Sequence, residues 1–395
     1  MSTTHDIAFP APRHDPLLPS PAYAAHRAET PVARVRLASG QSVWLVTGYH
    51  DVRTVLADAR FSSEILRPGF PQIQAAAPTS VPPAAFMVLD PPAHTRYRAP
   101  LIGEFTTRRI AALEPRIRSI VESQAEVLAK EPRPADLVEL FALPVPSLVI
   151  CELLGVPYEK AEFFQSRSQV VLSRVAGTEE VDRANQDLFD LIAAVVETKR
   201  AHPGDDVLSR LIAHESAFTL DEIVTVAVVL LTAGHETTAN MISLGVLRLL
   251  HEPEIWQSLA RGTRDSGPVV EELLRLLTVV QSGVPRVATE DVMLSGTLIR
   301  AGEGVIALLA GGNHDPAVFG APERIHPERV APRHLAFGYG LHLCLGHTLA
   351  RAELRVVFET LPRLFPNMRL PRDGAPPLFA DGAFVYGVEG LNVEW

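Results

Sequence analysis

Between Thr219 and Leu250 the chain holds a helix start followed by a segment that stays largely apolar, and this stretch limits the possible folds more than any other. Thr219 with Glu222 three residues on is a capping-box pattern, in which each side chain satisfies a backbone N–H at the start of the helix. At 1.5 Å per residue the span predicts a helix of roughly 48 Å. A helix that long and that apolar has to run through the core of one large body. A division near residue 200 is therefore disfavoured, and the expected organisation is a single domain over residues 1–395, with the Pro-rich residues 1–21 as an irregular surface arm. The unbroken apolar part, Ile223 to Gly234, is about 12 residues between Asp221, Glu222, His235 and Glu236, where a bilayer needs about 20.

The other elements follow from local pattern. PVARVRL and SVWLV, separated by Ala38, Ser39 and Gly40, alternate as a half-buried β-hairpin does. Seven prolines between Phe61 and His94 (Pro68, Pro71, Pro78, Pro82, Pro83, Pro91, Pro92) predict a long loop, because each fixes its φ and removes a donor. From Thr95 to Arg275 the pattern is helical. Short β-like pieces then lead to a last helix, on which Ala350, Leu354, Val357 and Leu361 share a face. The fold class read from these signals is mainly α with a minor β portion.

Composition narrows the function. Apolar residues make up 47% of the chain and charged residues 21%, so a large core can form and disorder is excluded. The net charge of −10, with no run of like charges, argues against a nucleic-acid partner. The N-terminus has neither a basic nor an apolar leader region, so the expectation is a cytoplasmic protein with no membrane partner. Cys151 and Cys344 are the two cysteines, which leaves no disulfide framework and asks what each thiol does.

Cys344 lies in FGYGLHLCLGH, Phe337 to His347, where Gly338, Gly340 and Gly346 permit a tight backbone and a helix follows. Three readings compete: a packed thiol, a zinc site with His334, His342 and His347, and a thiolate ligand of iron or haem. A packed cysteine needs no glycine cradle, and a single cysteine with a histidine two residues away makes a poor zinc set. Helix-terminal amides favour the thiolate, a soft ligand suited to iron. On the long helix, Ala233, Gly234, His235, Glu236, Thr237 and Thr238 weaken the helix locally. A zinc-peptidase H-E-x-x-H fails there because Ala239 stands where the second histidine would be. Glu272 and Arg275 are spaced i, i+3, with Glu271 as a rival partner at i, i+4. His94 and Arg98, one helical turn apart, can aim at one anion.

Together these segments resemble the cytochrome P450 haem-thiolate superfamily, in its soluble bacterial branch that oxidises secondary metabolites and xenobiotics. The pattern F-G-x-G-x-H/R-x-C-x-G is matched by Phe337, Gly338, Gly340, His342, Cys344 and Gly346. A-G-x-D/E-T is matched by Ala233, Gly234, Glu236 and Thr237. The resemblance implies the cytochrome P450 fold, with the long helix over haem b, and Cys344 as the axial iron ligand. It places Phe337 near the sulfur and His94, Arg98, Arg286 and His342 on the haem propionates. Glu236 and Thr237 become the oxygen-activating pair, and Glu272, Arg275 and Arg329 a buried structural cluster. It also implies O2 as co-substrate and electrons from NADH or NADPH through a reductase and a ferredoxin. The ferredoxin would dock on the proximal face, where Arg96, Arg108, Arg109, Arg333 and Arg351 fall. The expected reaction is insertion of one oxygen atom into a small apolar substrate, by hydroxylation or epoxidation. By position, the substrate would meet Phe86 and Met87 in the Pro-rich loop and Val229, Thr232 and Ala233 on the long helix. Ser282 and Val284 before Arg286, and Phe384 and Val385 near the C-terminus, complete that set. The branch usually reads A-N-R-D-P where this chain has Gly312, Asn313, His314, Asp315 and Pro316, and Ile325 also departs from its pattern. A haem-thiolate sensor or carrier is the rival function, and the acid and alcohol at 236 and 237 speak against it. A zinc hydrolase is a remote third.

Overall fold

The computed structural model describes residues 7–73, 80–173, 176–213, 218–331, 333–380 and 383–395. Residues 1–6 of the arm, and Pro78 of the Pro-rich loop, lie outside them. The chain gathers into two compact units, one from Met1–Val81, Met87–His94 and Glu271–Cys344, the other from Pro82–Phe86, Thr95–Val270 and Leu345–Trp395.

The first unit is built on a six-stranded sheet in the order Ile7–Ala8, Val32–Arg36, Ser42–Val46, Gly304–Ala307, Val284–Ala288, Phe61–Ser62. The predicted hairpin is present: Val32–Arg36 pairs antiparallel with Ser42–Val46, and Gly40 takes φ +83° in the turn. Alternation sends Val35, Val43, Leu45 and Ile306 to a core with Phe9 and Tyr23. It sends Val32, Val46, Val305 and Ala307 to a second core with Tyr49, Val52 and Leu335. The arm corrects the sequence reading. Ile7–Ala8 is a strand, parallel to Val35 and Arg36, recruited by the open hydrogen-bonding edge of the hairpin rather than by any side-chain pattern of its own. Among its described residues the Pro-rich stretch holds only short elements before the helix at Ala93, Phe61–Ser62 and a turn of 3-10 helix at Phe86–Val88.

His314 stands where the resemblance leads one to expect an arginine, and the structure shows how it is accommodated. Its Nδ1 lies 3.0 Å from the Ala310 carbonyl. Burial, then the charges of Arg275, Arg27 and Arg13, push its pKa down to about 3, so the ring packs as a neutral group.

The second unit is helical. Thr219 Oγ1 accepts from the Glu222 N–H at 3.2 Å, and the Thr219 N–H donates to Glu222 Oε2 at 2.8 Å, which completes the capping box. The helix it opens, Leu220–Leu250, packs against Pro144–Leu154, Ala161–Leu172, Thr178–Ala201 and His347–Leu364. Burial on most sides explains why its sequence lacks a polar face. On the last helix, His347–Leu364, Leu354, Val357 and Leu361 are buried as predicted, whereas Ala350 is half-exposed. The strand pair of Ala135–Asp136 with Asn392–Val393 ties the C-terminal segment to the rest of this unit, and Leu378–Phe379 pairs with Val388–Gly390 within that segment. Among the described residues no helix is long and apolar enough to cross a membrane.

Candidate active site

In the first unit the segment before Cys344 is a chain of tight turns. The Gly338 N–H donates to Leu335 O at 2.8 Å, the Leu343 N–H to Gly340 O at 3.1 Å, and the Cys344 N–H to Phe337 O at 2.9 Å. Gly340 has φ +73°, and a Cβ there would stand 2.6 Å from the Leu56 carbonyl, so this turn requires glycine. Arg53 braces the same turn, donating to Tyr339 Oη at 2.7 Å with its guanidinium 4.3 Å from the ring centroid. Cys344 is exposed at the end of this loop. The histidines that could have joined it in a zinc site have other neighbours: His334 Nε2 lies 3.1 Å from Glu271 Oε2, His342 Nε2 3.0 Å from Ser63 Oγ, and His347 Nδ1 3.0 Å from Arg351 Nη1. Among the described residues no three His, Cys, Asp or Glu side chains are grouped to hold a metal ion.

A network of polar groups runs beside this loop. His94 is buried, with its ring centroid 4.3 Å from that of His342. Asp90 accepts from the Ser63 N–H at 2.8 Å and from Ser62 Oγ. Asp90 also holds up the Arg286 pKa, which burial lowers to about 10. Arg286 thus stays charged while only 5% exposed, and its described hydrogen bond goes to the Pro285 carbonyl at 2.8 Å. A buried fork with donors to spare suits a carboxylate ligand. Ser63 and Asp90 were not anticipated from sequence; a serine pair far from the cysteine carries no local signal. Arg98, one turn beyond His94 along Ala93–Ile102, is half-buried.

These residues fit a haem. A Cβ at Gly338 would meet no described atom within 4 Å, so the backbone beside the cysteine loop is open. The exposed Cys344 thiol could offer a soft donor to a haem iron, and Arg286, His94 and His342 could offer cations or donors to its carboxylates.

In the second unit, one strip of the long helix is uncovered: Val229, Thr232, Ala233 and Thr237 are half-buried or exposed where most of their neighbours are buried. Gly234 faces the other way, and its hydrogen allows Ile150 to approach; a Cβ would lie 3.1 Å from Ile150 Cδ1. Thr237 Oγ1 donates to Ala233 O at 3.1 Å and Thr238 Oγ1 to Gly234 O at 3.3 Å, the back-bonding that weakens a helix. Glu236 is 9% exposed, its Oε2 has no partner among the described residues, and burial pushes its pKa up to about 7. Such a carboxyl gives and takes protons at neutral pH. His235 points to Phe164, 5.4 Å edge-to-face, and burial lowers its pKa to about 4.

The remaining positions assigned to substrate differ in burial. Phe86 and Val385 are buried, Met87 is exposed, Val284 and Phe384 are half-buried, and Ser282 is buried with its hydroxyl unpartnered among the described residues. Gly387 brings the C-terminal segment onto the long helix, since a Cβ there would sit 1.6 Å from Asn240 Oδ1, three residues past Thr237.

The family pattern described as Cytochrome P450 matches residues 22–261 and 268–390. The chain belongs to the cytochrome P450 family. It is 42% identical over 388 residues to Cytochrome P450-SU2 of Streptomyces griseolus, covering 96% of this chain and 94% of the relative. It is likewise 42% identical to the pentalenic acid synthase of Streptomyces avermitilis, covering 100% and 98%. The crystal structure of CYP105P1 in complex with filipin I superposes with a TM-score of 0.93 at 38% identity, covering 99% of both chains. This P450 is a monooxygenase of the bacterial branch, with the P450 fold that the sequence suggested.

The P450 also shows the grouping of Glu272, Arg275 and Arg329. Arg275 Nε and Nη2 donate to Glu272 at 2.8 and 3.0 Å, and Arg329 Nε reaches both carboxylate oxygens at 3.1 Å. Arg275 further donates to the carbonyls of Asn313, Pro322 and Arg324. Glu271 instead faces His334. Burial alone would raise the Glu272 pKa, but Arg275, the His326 N–H and Arg329 outweigh it and hold it below the ordinary value. Glu272→Ala is expected to lower stability by about 3–5 kcal/mol at neutral pH, because Arg275 is left buried and charged without its partner. Since the Glu272 pKa is depressed, the parent's advantage is complete above the unfolded value and lost as pH falls through the folded one. Denaturant unfolding of both proteins at two pH values measures it; a difference under 1 kcal/mol would show the cluster to be dispensable.

Proposed function

We propose that this P450 inserts one atom of O2 into a C–H or C=C bond of a small apolar molecule, with electrons passed from NADH or NADPH through a reductase and a ferredoxin. The observation that carries the reading is a buried, titrating Glu236 beside Thr237 on the uncovered strip of the long helix. Cys344 would hold the haem iron, with Phe337 beside the sulfur, and His94, Arg98, Arg286 and His342 would hold the propionates. The haem, when bound, supplies the redox and oxygen chemistry. Glu236 holds a proton at its carboxyl and releases it at neutral pH. Thr237 turns its hydroxyl from the Ala233 carbonyl to donate to the bound ligand. Val229 and Ala233 present apolar surface that excludes water and orients the substrate, which favours an apolar partner. A relative crystallised with filipin I and another named pentalenic acid synthase support a secondary-metabolite substrate. In this reading residues 1–395 act as one domain, in the cytoplasm.

For the ferredoxin, Arg108 and Arg333 are the more available of the arginines considered. Both are exposed, whereas Arg96 pairs with Glu222 at 2.9 Å and Arg109 lies 3.7 Å from Glu104. Reduction by ferredoxin should slow with rising salt and with Arg108→Glu; rates indifferent to both would remove this docking face.

The function itself is tested with a panel of apolar polycyclic and macrocyclic compounds, screened by the spin-state shift of the haem-loaded protein. The best binder is then incubated under 18O2 with reductase, ferredoxin and nicotinamide. One 18O atom per product molecule is expected. Spectral binding with no oxygenated product from any compound would favour the sensor or carrier.

A further inference from the structure

The long helix treats its threonines unequally. Thr225, Thr237 and Thr238 each donate to the carbonyl four residues back, at 3.0, 3.1 and 3.3 Å. Thr232 does not: its Oγ1 is buried and has no partner among the described residues. One turn further on, at i+4, Glu236 Oε2 is in the same condition on a side chain nine-tenths buried. Residues at this spacing lie one above the other on a helix face. Thr232 belongs to the uncovered strip with Val229, Ala233 and Thr237, and Glu236 is the buried neighbour of Thr237. Two buried polar atoms left unsatisfied on adjacent turns are costly unless something polar joins them.

We propose that Thr232 Oγ1 and Glu236 Oε2 together hold one hydroxyl oxygen, that of a water or of a substrate alcohol. The held oxygen accepts from the threonine hydroxyl and donates to the carboxylate, so both atoms are satisfied by one group. Thr232 is then a positioning residue: it fixes the group through which Glu236 exchanges its proton. This rests on the reading of Glu236 as the proton-carrying acid. Burial is the one cause found for the raised Glu236 pKa, and no ionisable neighbour among the described residues contributes to it. A hydroxyl donated to the carboxylate would favour its ionised form and so act against the effect of burial.

The test is infrared difference spectroscopy on the haem-loaded protein titrated across neutral pH, with Glu236→Gln identifying the carboxyl band. Thr232→Val keeps the side-chain shape without the hydroxyl, and Thr232→Ser keeps the hydroxyl. Thr232→Val is expected to raise the Glu236 midpoint by about one pH unit, roughly tenfold in proton affinity, and to shift the protonated C=O stretch upward. Thr232→Ser should stay near the parent. The titration is run without ligand, with cyclohexane and with cyclohexanol. A shift already present without ligand identifies water as the held group, and a shift confined to cyclohexanol identifies a substrate alcohol. An unchanged midpoint and band in all three arms would overturn the pairing, whatever Glu236→Gln does to turnover. Parental turnover in Glu236→Gln would instead overturn the functional reading and leave the infrared result standing.

Discussion

Cys344→Ser is expected to abolish the thiolate-type absorption of the reduced, CO-bound protein, while Cys151→Ser leaves it intact. The two cysteines differ in every physical respect that matters to a ligand. Cys344 is exposed at the end of a loop of tight glycine turns, three residues before a helix. Cys151 is wholly buried in the helix Pro144–Leu154, and burial pushes its thiol up to about 12, so it stays protonated and inert. A serine oxygen is a harder donor and does not reproduce thiolate electron release. Absorption spectra of the two variants decide the matter, with haem content measured separately by extraction. Retention of the thiolate band in Cys344→Ser would end the ligand assignment.

The second large effect belongs to the long helix. Thr237→Ala should still bind haem and substrate and still oxidise nicotinamide, but product per nicotinamide should fall and hydrogen peroxide should rise to match. Positioned proton transfer typically contributes 10²–10⁴-fold, and without the Thr237 hydroxyl it is misdirected. Glu236→Gln should slow turnover instead and flatten the pH profile. In the parent the Glu236 pKa is raised to about 7, so the acid is protonated below that value and ionised above it. A limb near neutral pH is expected in the parent and absent in the glutamine variant. Counting product, peroxide and nicotinamide in one reaction measures both effects. Unchanged coupling in Thr237→Ala would mean that a substrate hydroxyl or another residue does this work.

Some of this was determined by the sequence alone, because the interactions involved are short in range. The capping box of Thr219 and Glu222 closes within one turn, the hairpin of Val32–Arg36 with Ser42–Val46 follows from strict alternation, and Gly340 answers to a φ of +73°. The order of the P450 motifs was equally legible. Spacing left Glu271 and Glu272 as rivals for Arg275. The tertiary structure chose between them by bringing His334 to Glu271 and Arg329, with the His326 N–H, to Glu272. It also placed Ile7–Ala8 in a sheet through backbone hydrogen bonds that no side-chain pattern records. On the long helix His235 and Glu236 are chain neighbours, yet burial drives their pKa values to about 4 and about 7. Desolvation acts against whichever form is charged, so it lowers the imidazole and raises the carboxyl. How much water each group loses depends on helices distant in sequence that fold over it, and only the tertiary structure decides that.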